Sequence, residues 1–70
     1  MEEYIELDYV GMFGGWQRLT HIPSGDTCLC KPYMTSQEWL TARQEFLNKY
    51  PELVILENNK EVNRQLLMET

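Results

Sequence analysis

The run WQRLTHIPSGDTCLC, positions 16 to 30, holds the only histidine, His21, and both cysteines, Cys28 and Cys30. These residue types can do three things. An imidazole and thiolates can hold zinc. A thiol whose pKa is lowered by a cationic neighbour can attack electrophiles. A Cys–His pair can open a nucleophilic site.

Zinc is the weakest of these. A structural site wants four ligands and this run offers three. Cys28-x-Cys30 is read as divided between the two faces of a strand, which is poor geometry for one ion. The chain has no second Cys/His pair, so neither a metal nor a cofactor is expected. For thiol chemistry, Lys31 follows Cys30, and a hairpin would set His21 beside Cys28. Asp26 is the one carboxylate at hand to orient the histidine, and nothing supplies an oxyanion hole. Small buried cysteines, reduced and part of a core, are the expectation. A metal or thiol protein using His21, Cys28 and Cys30 is the alternative.

The elements that position this run follow from pattern. Residues 3 to 10, EYIELDYV, alternate Ile5, Leu7 and Tyr9 with Tyr4, Glu6 and Asp8. That is a half-buried strand, placed here at the outside of the sheet with its charges discouraging edge-to-edge pairing. Glycines in GMFGG, positions 11 to 15, break it. Met12 and Phe13 between them either project at the loop tip or fold under it as core. Two β-rich runs around Pro-Ser-Gly-Asp then read as a hairpin. With Ser24-Gly25 as the turn, His21 faces Cys28, Leu19 faces Cys30 and Trp16 faces Tyr33. Both hairpin faces are partly apolar, which places it at the sheet's centre.

Thr35-x-x-Glu38 is a capping box that opens a helix. Trp39, Leu40, Arg43, Phe46, Leu47 and Tyr50 give that helix one face, and Pro51 ends it. LVIL, 53 to 56, reads as a short strand. A second helix then starts at Asn58 or Asn59, with Val62, Leu66 and Leu67 inward. A rival reading makes 52 to 68 one continuous helix. The expected class is α+β, a single domain over 1–70. Its sheet is small and mostly antiparallel, in the order β-β-β-α-β-α, with helices on one face.

The segment RLTHIPSG, 18 to 25, resembles the stretch after the GGQ loop in bacterial peptide chain release factors. The order of a strand, Gly14-Gly15, this hairpin and a helix opening at Ser36-Gln37 is similar too. That resemblance covers about half the chain and implies an association with translation. It departs where the family's chemistry lies. Trp16 holds the place of the catalytic glutamine, and Gln17 comes one position late. The loop before the hairpin is short, and the basic residues of the ribosome-binding helix are mostly absent. Peptidyl-tRNA hydrolysis is therefore not carried over. In size and style the chain also resembles small accessory proteins of bacteriophages.

Charge narrows the function further. Six Lys and Arg stand against eleven Asp and Glu, a net charge of −5. Direct nucleic-acid binding needs cations against phosphates, and docking on anionic lipid needs them too. Neither partner is expected. The chain carries no P-loop, dinucleotide fingerprint or zinc-protease motif, so no enzyme is expected either. The reading is a small acidic binding protein in the cytoplasm, in the manner of a phage-encoded inhibitor. Its partner would be a host or cellular protein with a basic, nucleic-acid-binding surface. Glu2, Glu3, Glu6 and Asp8 would steer it, and Met12, Phe13 and Trp16 would anchor it. Self-association is a further expectation, because a core this small gains from burying an edge against a copy.

Overall fold

The computed structural model describes residues 3 to 69. Strand β1 (Tyr4–Val10) leads through a single 3-10 turn (Met12–Gly14) into β2 (Trp16–Ile22) and β3 (Thr27–Cys30). Helix α1 (Ser36–Asn48) follows, then β4 (Ile55–Glu57), β5 (Lys60–Val62) and helix α2 (Arg64–Glu69). The five strands form one sheet in the order β3-β2-β1-β4-β5. Three pairings are antiparallel, and β1 with β4 is parallel. The fold is a small α+β unit, as its residue pattern predicts.

Period two decides what is buried. Ile5 and Leu7 of β1, Leu19 of β2, Cys28 and Cys30 of β3, and Ile55 of β4 share the face covered by helix. Phe46 and Leu47 of α1 and Leu67 of α2 close the core over them. The capping box is present in full. The Thr35 hydroxyl accepts from the Glu38 N–H, and Glu38 accepts the Thr35 N–H at 2.7 Å. Two main-chain donors that α1 would otherwise leave open are thereby satisfied.

The two helices also cap each other. Arg64, at the start of α2, donates to the carbonyl of Leu47 in the last turn of α1 and to those of Tyr50 and Leu53 in the loop after it. Arg43 and Gln44 of α1 return the favour to the carbonyls of Leu67 and Met68. Each helix therefore satisfies acceptors that the other cannot satisfy alone.

Five expectations are corrected. First, β1 lies at the centre of the sheet, not outside it, because β4 pairs along its second side. The hairpin's second strand, β3, is one edge and β5 the other. Second, the hairpin register is two residues away from the expected one: Leu19 faces Cys28, Gln17 faces Cys30 and Arg18 faces Leu29. The cause is a wider turn. His21 N–H bonds the Asp26 carbonyl, and Gly25 N–H bonds the His21 carbonyl. Gly25 takes a positive φ of 84° there, which suits a residue without Cβ. Third, the strand read at 53 to 56 begins at Ile55 and is followed by a fifth strand. Asn58 and Asn59 have φ of 51° and 66° and form the two-residue bend between β4 and β5. Two successive positive φ values make a hairpin turn, not a helix cap. Val62 therefore lies in β5, and the continuous helix over 52 to 68 is excluded. Fourth, α2 starts at Arg64, where the Asn63 side chain accepts the Gln65 N–H. Fifth, Leu67 is buried but Leu66 is 65% exposed.

Candidate functional site

Two places on the molecule concentrate chemistry. They lie at opposite ends of β2.

The first is the loop that carries Met12 and Phe13. Gly11 enters it at φ 81°, and a Cβ there would come within 3.2 Å of the Trp16 indole. Only glycine lets the chain turn this closely under the ring. Hydrogen bonds from Gly14 to Gly11 and from Gly15 to Met12 close the turn. Phe13 stands at φ 61°, a left-handed conformation that L-residues avoid by about 1–2 kcal/mol. Its side chain is 98% exposed and that of Met12 81%. Neither folds under the loop.

Beside this tip lies the sheet face without helices. Cross-strand pairs on it are Val10 with Trp16, Asp8 with Arg18, Glu6 with Thr20 and Tyr4 with Ile22. Arg18 holds Asp8 through two hydrogen bonds, at 3.0 and 2.6 Å. The hydrogen bond and charge of Asp8, with help from Glu6, raise the Arg18 pKa further. The ammonium of Lys31 stands 5.5 Å from the Trp16 ring centre and 6.0 Å from that of Tyr33.

The structure therefore redistributes the acidic residues read from the sequence. Glu2 lies outside the described residues. Glu3 has the parity of Ile5 and Leu7 and reaches His21 on the helix side. Glu6 and Asp8 share the open face, where Asp8 is held by Arg18. Trp16 is half-buried on that same face, next to the exposed tip.

The second place is at the far end of β2, around His21. Its Nε2 is 2.9 Å from the Glu3 carboxylate, and its Nδ1 is 2.6 Å from the Ser24 hydroxyl. The ring is buried and stacks on Tyr50, with centroids 4.1 Å apart and 14° between planes. The Tyr50 hydroxyl donates to Asp26 at 2.6 Å, and Lys49 donates to the same carboxylate oxygen at 3.1 Å. These hydrogen bonds, that of Tyr50 first, hold the Asp26 carboxyl below its ordinary value. The same carboxylate raises the pKa of Tyr50 and of Lys49. Sequence reading named His21 and Asp26 but missed this grouping. Ser24 sits three residues from His21 in the turn, and Tyr50 comes from the end of α1.

The cysteines play no part in either place. Residues two apart on a strand share a face, so Cys28 and Cys30 are not divided between faces. Both are buried on the helix side, and the Sγ atoms approach the carbonyls of Ala42 and Trp39. Burial pushes the Cys28 thiol up to about 12, and it raises Cys30 as well. His21 does not face Cys28 in the observed register. Among the described residues no group of three His, Cys, Asp or Glu is placed to hold a metal ion. No helix among them is long and apolar enough to cross a membrane.

No family model matches the chain, and neither a curated protein nor a solved structure does.

Proposed function

We propose that the chain is a small acidic binding protein without a catalytic step of its own. It docks on a partner protein through the Met12–Phe13 tip and the adjoining open sheet face. The observation that carries this reading is Phe13: an aromatic side chain 98% exposed on a left-handed backbone. A solvent-facing residue gains nothing in the free molecule from that strain. Seated in a partner's pocket, it would gain about 1.5–3 kcal/mol from burial.

The partner's surface is basic. The net charge of −5 and the open-face Glu6 favour approach to cations. Glu3 and Asp8 are engaged within the molecule, so steering rests on the overall field more than on a row of free carboxylates. A nucleic-acid groove of a host protein is the kind of surface that fits, and blocking it would make the chain an inhibitor acting in the cytoplasm.

The test is a pair of variants. Phe13→Ser weakens capture of the partner about tenfold to a hundredfold, the equivalent of that burial energy. Glu6→Lys lowers the association rate and flattens its salt dependence. The reading fails if Phe13→Ser, with an unchanged melting temperature, retains the same partner at the same affinity.

A further inference from the structure

The cluster at the His21 end of β2 lies away from the proposed docking surface and carries a chemistry of its own. The protons in it can be placed by elimination. The Glu3 carboxylate can only accept, so in the neutral imidazole Nε2 carries the hydrogen and Nδ1 the lone pair. The Ser24 oxygen already accepts the Asp26 N–H at 3.1 Å. Nδ1, with its lone pair, accepts the Ser24 proton across 2.6 Å, and the Tyr50 oxygen is the competing partner of the same hydroxyl. The result is a relay in which serine donates to histidine and histidine donates to glutamate. The Tyr50 ring fixes the imidazole plane. His21 is buried, whereas Ser24 is exposed on the hairpin tip and open to a reagent.

We propose that Ser24 is an activated hydroxyl, a site of covalent acylation by activated esters. In the step, Ser24 Oγ forms a bond to the acyl carbon and the bond to the leaving alcohol or phenol breaks. The serine proton passes to His21 Nδ1 and from there to the departing oxygen. His21 is the base and Glu3 positions it.

The site stops at the acyl stage. Asp26 N–H points at the Ser24 oxygen, and Gly25 N–H is taken by the His21 carbonyl. These neighbours leave no pair of donors at the place where an oxyanion would form, and such donors supply most of the rate of true hydrolases. Ser24 is thus a modification site rather than a turnover centre.

The probe is 4-nitrophenyl acetate, with acetylated peptides mapped by mass spectrometry. Ser36, the chain's other serine, is the internal reference. Ser24 acetylates on the order of a hundredfold faster than Ser36, the usual size of a general-base effect. His21→Asn brings the two rates together. In the unmodified chain, the pH profile of the Ser24 rate follows the His21 imidazole titration seen by NMR. That profile keeps the test valid even if the His21 variant unfolds, and Glu3→Gln, at a half-exposed position, displaces it. Equal rates at Ser24 and Ser36, or a Ser24 rate that ignores the imidazole titration, would overturn the proposal.

Discussion

His21 and Tyr50 lie face to face, their ring centres 4.1 Å apart. The pair joins the end of β2 to the chain just beyond α1, and Glu3 and Asp26 hold its two ends. The stack and the Glu3 hydrogen bond thus fasten three segments that are distant in sequence.

Removing it should cost more than an average substitution. His21→Ala deletes a buried ring with a partner on each nitrogen and is expected to lower stability by about 2–3 kcal/mol. Urea unfolding followed by circular dichroism measures this. A loss under about 0.5 kcal/mol, typical of a surface change, would show that the stack is incidental.

Acid should loosen the same region first. The Asp26 carboxyl is depressed in the folded state, so its contribution is present above its ordinary value of 3.8. It is lost as pH falls from there through the folded pKa, when Asp26 takes up a proton. The sign reverses for Tyr50, whose pKa is raised from 10.0: its contribution fades as pH climbs beyond that value. Asp26→Asn should give a chain whose stability changes less between pH 5 and 2. Parallel pH curves for the two chains would contradict this.

Both thiols should be silent in the native protein. With Cys28 at about 12 and both sulfurs covered, almost no thiolate exists at pH 8. Ellman's reagent should react only as fast as the molecule opens, and all at once in denaturant. Immediate reaction of one thiol under native conditions would contradict the packing of β3 against α1.

Phe13→Gly should separate binding from folding. Glycine accepts the left-handed backbone freely, and no core contact is lost. Thermal unfolding should show stability unchanged or raised by up to about 1 kcal/mol. A clear loss would mean that Phe13 supports the loop.

Much of this fold is written locally. The Thr35/Glu38 box and the alternation in β1 and β2 can be read directly, because each depends on neighbours within a few positions. What could not be read depends on partners far along the chain. Nothing in EYIELDYV says that Ile55 and Leu56 will pair beside it, so a central strand looked like an outer one. Asn58-Asn59 serves a helix start and a tight hairpin equally well, and only pairing with Glu57 and Lys60 decides between them. Treating Ser24-Gly25 as the whole turn moved each hairpin partner by two. The candidate sites divide in the same way. Met12 and Phe13 stand out in sequence, whereas the meeting of Glu3, Ser24 and Tyr50 at His21 exists only once the sheet and helix have closed.

The central place of β1 has a consequence for how the molecule is made. Its first neighbour, β2, follows within a few residues, but its second, β4, is some 50 positions away. During synthesis β1 must wait, one side bare, until β4 has been made. A nascent or prematurely terminated product ending after α1 would present that bare side as a template for other strands. Synthesis and docking of β4 is therefore also the step that quenches aggregation.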